Sequence, residues 1–323
     1  MKHKKLVVLL SFLLGASMLT ACTQANQKVS LKAYWRENLN DTYSFTEETV
    51  YSVTHSLTSS LNAGYGLEYS DGEYTTTLSY ENGEYTYTTE LTINVTYTFN
   101  GATKTAQDTT VSTTKFAEAS NALRPISSSK TVKSHSPQTG TITSLENCYK
   151  RYESVSNISY NEDGTGSYTL DVTTYSGETP STQKTEKSFE IDTKKYNYLD
   201  NEQLAVALRG IDPTSTTNPK FLVFSPFANA AQPVKNTFSS ATTEEFSFLK
   251  NGETFKDKIS YRPVETQLDV KMSGSAKTIW IATTTDAHDN EHRNVILKMD
   301  LPLPYSLGSL VYKLTSVTYT EKQ

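Results

Sequence analysis

The sequence predicts a mainly β protein: a large, curved antiparallel sheet, half-barrel or barrel-like, with one or two short helices. Three observations predict it. From about Tyr43 the chain is rich in Thr, Tyr, Ser and Val, which suit a pleated, half-buried surface, and it holds 21 Tyr against 12 Phe and 2 Trp. Residues 85–99 alternate with period two: Tyr85, Tyr87, Thr89, Leu91, Ile93, Val95, Tyr97 and Phe99 on one side, only polar residues on the other. Asn-Gly and Asp-Gly pairs recur along the chain, and these are the preferred residues of two-residue hairpin turns.

The strand over 84–99 has a visible partner. Asn82-Gly83 fits a type I′ turn, which places Tyr80 opposite Tyr85, Leu78 opposite Tyr87 and Tyr74 opposite Leu91. The apolar sets of both strands then share one face, so turn chemistry and hydrophobic register agree. Asp71-Gly72, Asn100-Gly101, Asp163-Gly164 and Asn251-Gly252 repeat the turn signal. Strands this long exceed the usual ~5–6 residues and coil strongly, which rolls a sheet toward a barrel.

Helical signals are few. Asp200 can cap a helix with Gln203 reaching back, and Leu204, Ala207, Leu208 and Ile211 form one apolar stripe. Gly210 is placed for a left-handed C-terminal residue, and Pro213 prevents continuation. A second helix is expected over 115–123, ended by Pro125. Residues 126–140, rich in Ser, Thr and Lys, are a candidate linker and internal boundary. Toward the C-terminus, 221–227 reads as an apolar strand, 244–261 as a hairpin around Asn251-Gly252, and 277–284 and 292–304 as neighbouring strands joined by an acidic turn. GSLVYKLTSVTY closes the chain.

The first residues have another character. Lys2, Lys4 and Lys5 precede an apolar run too short to span a bilayer, which is the layout of an export signal. The run ends in Leu19-Thr20-Ala21-Cys22, which resembles the lipobox of bacterial lipoproteins at all four positions. The resemblance implies that residues 1–21 are removed and that Cys22 carries fatty acyl chains. These would anchor the protein to the cell membrane on its extracytoplasmic face. Residues 22–40 then read as a tether and 41–323 as a single large β domain. Removing residues 1–21 removes three lysines and takes the net charge from −5 to −8, which disfavours nucleic acid as a partner. Cys148 alone remains after lipidation, so no intramolecular disulfide is expected, and it reads as a small buried hydrophobe.

Trp280, Asp286, Arg293-Asn294-Val295, Leu303-Pro304 and Gly308-Ser309-Leu310-Val311-Tyr312-Lys313-Leu314 form a string with a resemblance of its own. It is similar to the C-terminal pattern of a family of exported bacterial β-proteins classed as a domain of unknown function, related to the half-barrels of lipoprotein carriers such as LolA and LppX. The similarity covers residues 196–320. Here the turn after Trp280 is longer and carries two histidines. The resemblance implies a curved antiparallel sheet partly covering a helix, and no catalytic motif comes with it.

The residues offer little for chemistry. Asp286, His288, Asp289, Glu291 and His292 are metal-ligand types, but in a turn they read as a solvated polar tip, so no metal and no cofactor is expected. There is no Gly-x-Ser-x-Gly elbow and no Gly-rich phosphate loop, and His55 and His135 stand alone in Ser/Thr-rich sequence. No catalytic residue is assigned. The expectation is a non-enzymatic envelope lipoprotein that binds a lipid or other apolar molecule in the concave face of its sheet. Tyr85, Tyr87, Leu91, Ile93, Val95 and Tyr97 would line that groove, facing Leu204 and Leu208. The alternative is a cell-surface adhesion, assembly or carbohydrate-binding module with exposed aromatics, Trp35 or Trp280 among them.

Overall fold

The computed structural model describes residues 28–36, 44–56, 64–119, 122–138, 140–269, 276–283, 291–304 and 307–322. Cys22 and the export signal lie outside these residues, as do Asp286, His288 and Asp289.

The chain is mainly β, as its composition predicts. The strands are β1 (Ser44–Ser56), β2 (Gly66–Glu81), β3 (Glu84–Phe99), β4 (Ala102–Ala119), β5 (Ala122–Pro137), β6 (Tyr149–Tyr160), β7 (Thr165–Ser176) and β8 (Thr179–Glu190). They continue as β9 (Asn197–Asp200), β10 (Lys220–Ser225), β11 (Ala230–Phe238), β12 (Thr242–Lys250), β13 (Glu253–Leu268), β14 (Lys277–Ala282), β15 (Ile296–Pro302) and β16 (Ser309–Lys322). One short helix, α1 (Leu204–Arg209), follows a 3-10 turn over Asn201–Gln203.

The strands form one sheet in the order β8-β7-β6-β5-β4-β3-β2-β1-β16-β15-β14-β13-β11-β10-β9, and β12 pairs with both β13 and β16. The two ends of the barrel meet through side chains rather than a ladder. Gln203 Nε2 donates to the Leu123 carbonyl at 3.0 Å, and Ser128 Oγ donates to Asp200 at 2.7 Å. This joins β5 to the turn after β9, and leaves β6, β7 and β8 as a flap beyond the closure. The flap covers a small second core in which Phe189 stacks on Phe224 at 3.9 Å.

The β2–β3 hairpin has the expected register: Tyr80 opposite Tyr85, Leu78 opposite Tyr87, Tyr74 opposite Leu91. Asn82 and Gly83 both take positive φ, as a type I′ turn requires, and so do Asn100-Gly101 and Asn251-Gly252. Asp71-Gly72 is different. It lies inside β2, where the register shifts between Ser70 and Glu73, and it forms a β-bulge rather than a turn. Gly72 is needed there because a Cβ would sit 2.7 Å from both Val53 Cβ and the Val53 carbonyl.

Four expectations are corrected. Of the helix expected over 115–123, residues 115–119 lie in β4 and 122–123 in β5. Phe116 and Leu123 are both buried in the sheet core, so strand pairing overrides local helix propensity. Residues 126–137 are strand, not linker: the backbone of 127–133 pairs on both sides, with β4 and β6, and 134–137 continue along β6. Within the tether expected over 22–40, residues 29–36 are packed into the fold. Leu31, Ala33, Tyr34, Trp35 and Arg36 are buried, and Lys32 N donates to the Gly210 carbonyl at 2.9 Å. Gly210 is right-handed, with φ −78°. Glycine suits it because a Cβ would approach the Lys32 carbonyl to 3.1 Å.

Candidate functional site

The odd face of β3 points inward as predicted, and it meets other side chains. Tyr85, Tyr87, Ile93, Val95, Tyr97 and Leu208 are buried in one continuous core, with Leu91 and Leu204 packed at its margin. Two segments from outside the sheet fill the interior, residues 29–36 and α1. Trp35 stands edge-on to Tyr85, with ring centroids 5.5 Å apart, and Arg36 Nε donates to the Tyr85 hydroxyl at 3.1 Å. None of the eight residues assigned to an apolar groove lines the cavity where β5 and β6 face Asp200 or the one beside Gly166 and Phe189. Trp35 is fully buried and offers no face to a sugar. The Trp280 ring is half-buried, with the Lys298 ammonium 4.4 Å from its centroid.

The interior also holds charge. Arg209, the last residue of α1, makes a bidentate pair with Glu47 of β1 at 2.6 and 2.7 Å. Its remaining donors reach the Asn294 and Arg293 carbonyls at 2.9 and 3.1 Å. Burial works against the guanidinium charge, and Glu47 outweighs it, so Arg209 is held firmly charged.

The open site lies elsewhere, where the flap joins the barrel. Even-numbered side chains of β5 (Ser128, Lys130, Val132) and β6 (Tyr152, Ser154, Ser156, Ile158) share one face because Lys130 pairs with Ser156 and Val132 with Ser154. Opposite stand Asp200, Asn201 and Glu202 from the turn before α1, Ser225, Pro226 and Phe227 after β10, and Lys277 at the start of β14. Together they enclose a polar cavity of about 270 Å³. The capping box expected from Asp200 and Gln203 builds one wall: Asp200 Oδ1 accepts from Glu202 N at 2.8 Å, and Gln203 Oε1 accepts from Asp200 N at 3.4 Å.

Most charges in this cavity are already committed. Asp200 accepts from the Tyr160 hydroxyl at 2.6 Å as well as from Ser128. Burial first, and then the neighbouring Glu202 charge, push its carboxyl up to about 6. Lys130 Nζ pairs with Glu202 Oε1 at 2.8 Å. Burial opposes both charges, and their mutual attraction outweighs it, holding the Glu202 carboxyl low and the Lys130 ammonium high. Lys277 differs. It is solvent-accessible within the cavity and has no ion-pair partner among the described residues. The surrounding protein, and then the nearby Lys130 ammonium, hold its pKa below the ordinary lysine value.

His135 is not isolated. Its Nδ1 lies 2.9 Å from Asp108 Oδ1. Ser134 donates to the same carboxylate at 3.1 Å rather than to the imidazole, so the three do not form a nucleophile–base pair. Cys148 is fully buried and free, as expected of a small hydrophobe. Among the described residues no three potential metal ligands converge.

The sequence reading missed the flap cavity. Its signal was present in Ser128-x-Lys130-x-Val132, but a wet strand face reads the same whether it meets solvent or a cavity.

The fold defines a mainly β, barrel-like protein with a plugged interior. No protein-family model and no curated protein matches the chain. Among solved structures it is similar to a β-barrel-like protein of a domain of unknown function, DUF1849, from Brucella abortus. The two are 11% identical, over 86% of this chain and 98% of that one, with a TM-score of 0.45.

Proposed function

We propose that this is a lipid-anchored extracytoplasmic protein of non-enzymatic role, attached through Cys22, that binds a small molecule in the flap cavity. The lipobox resemblance supports the anchor, and the resemblance of residues 196–320 to exported half-barrel proteins supports the envelope setting. The observation that carries the binding reading is the contrast between two faces. The apolar concave face is filled by Trp35 and α1, whereas the cavity at the flap keeps polar groups open. A lipid or apolar ligand therefore has less support than a polar one. Against catalysis stands the commitment of both cavity carboxylates to protein partners.

The test is mass spectrometry of the protein purified from its host in mild detergent. The expected result is a mature chain beginning at Cys22 with acyl groups attached, and a small molecule retained under native conditions. A mature chain cut elsewhere, with no acyl mass, overturns the anchor. A co-purifying acyl lipid displaced by no polar molecule overturns the choice of cavity.

A further inference from the structure

The flap cavity contains polar side chains that protein partners leave open, Lys277, Ser154 and Ser156 among them. Lys277 supplies an ammonium that makes no close ion pair among the described residues; the nearest opposite charge acting on it, Glu202, is already paired with Lys130. Ser154 and Ser156, two residues apart on β6, face the same space, and neither hydroxyl takes a protein partner among the described residues. Pro226 and Phe227 add an apolar wall, and Phe227 is exposed. A few convergent polar groups beside an apolar wall are the usual makeup of a small-molecule site.

The charges decide which molecule fits. Asp200 receives two hydroxyl donors and one backbone N–H, so it has little capacity left for a ligand. Glu202 and Lys130 neutralise each other. Of the two lysines lining the cavity, Lys277 is the one outside an ion pair, and the Asp200 carboxylate is already met by its hydroxyl and backbone donors. A neutral ligand would form no charge-paired hydrogen bond with the Lys277 ammonium. A dianion such as phosphate would bring a second negative charge close to Glu202 and Asp200, with no second free cation to offset it. A monoanion pairs with Lys277 without adding that second negative charge, and a carboxylate supplies acceptor oxygens for the ammonium. The serine hydroxyls then face the rest of the molecule and favour one that carries hydroxyls of its own. The volume, about 270 Å³, gives room for a molecule of monosaccharide size.

Resting on the binding role proposed above, we infer that the cavity takes a small hydroxylated carboxylate, with its carboxylate on Lys277 and its hydroxyls on Ser154 and Ser156. The site is made by the flap closing on the barrel, so it exists only while β5–β6 and the β9–α1 turn stay docked.

The experiment uses the full mature chain in detergent, with isothermal titration against lactate, gluconate and glucuronate, against neutral glucose, and against inorganic phosphate. Saturable binding of at least one carboxylate is expected, with none for glucose or phosphate. Lys277→Gln should weaken it at least tenfold without lowering Tm, because Lys277 holds no ion pair that the fold would miss. Ser156→Ala should weaken the hydroxylated ligands and leave Tm unchanged. Equal binding of glucose overturns the anion assignment while leaving the cavity as a binding site. Tighter phosphate binding overturns the monoanion argument. Carboxylate binding unaffected by Lys277→Gln, or no binding of any probe, overturns the inference outright. A co-purified molecule of other chemistry would show separately that the protein still binds.

Discussion

Arg209 and Glu47 meet as a two-pronged ion pair in the protein interior, with side chains 4% and 0% exposed. The pair joins α1 to β1 across 162 residues of chain. It fixes the helix inside the barrel, and so fixes the turn before α1 that walls the flap cavity. Arg209→Met leaves a buried carboxylate unpaired and should cost about 3–5 kcal/mol in urea unfolding. Arg209→Met with Glu47→Leu removes both charges and should recover most of that. Recovery should fall short by about 1–3 kcal/mol, because the Arg293 and Asn294 carbonyls lose a donor. If the single variant proves no worse than the double one, the pair does not organise the interior.

Trp35 separates a tether from a structural plug. It is fully buried between Tyr85 and Phe116, edge-on to both rings. Trp35→Ala should cost about 3–5 kcal/mol by leaving a large void. Trp35→Phe should cost clearly less, since the indole Nε1 has no hydrogen-bond partner among the described residues. In thermal unfolding, two variants indistinguishable from the parent would return residues 28–36 to the status of a tether.

The contrast with residues 84–99 shows what a sequence can carry. There, apolar alternation and an Asn-Gly turn report the same face and register, and the pairing Leu78–Tyr87 follows directly. Trp35 sits in a short segment with no period, so nothing local marks it as core. Glu47 is equally silent: it shares the inward face of β1 with Phe45, Tyr51 and Val53, and nothing local marks its partner, because Arg209 arrives from a distant helix. The Ser and Lys residues of β5 read as linker because both strand faces are polar, one toward solvent and one toward the cavity. The site was illegible for the same reason, since its walls come from five separate parts of the chain.

Gly72 tests the bulge in β2. Gly72→Ala would push a methyl group within 2.7 Å of Val53 Cβ and its carbonyl, and within 2.9 Å of Ile93 Cδ1. Neither neighbour is the end of a flexible polar chain, so strands β1 and β3 must part. A loss of about 1–3 kcal/mol is expected in urea unfolding. Gly83→Ala meets no atom within 4 Å and suffers only from its positive φ, so it should cost about 1 kcal/mol. A Gly72→Ala protein as stable as the parent would show that the bulge tolerates a side chain.

Asp200 makes the docking of the flap depend on pH. Its carboxyl, raised to about 6 by burial and then by Glu202, ionises near 3.8 in the unfolded chain. Between these values the folded protein holds a proton that the unfolded one has released. Stability from this group is therefore fully present below about pH 4 and is lost as pH rises toward 6, by about 3 kcal/mol in all. Asp200→Asn cannot titrate and keeps an acceptor for Tyr160 and Ser128. Other carboxyls titrate in both proteins, so they largely cancel in the difference between them. Urea unfolding at pH 4, 5, 6 and 7 should show the variant gaining on the parent by about 3 kcal/mol across that range. A difference that stays flat with pH would mean that Asp200 ionises normally in the fold, and that the hydroxyls of Tyr160 and Ser128 offset its burial in full.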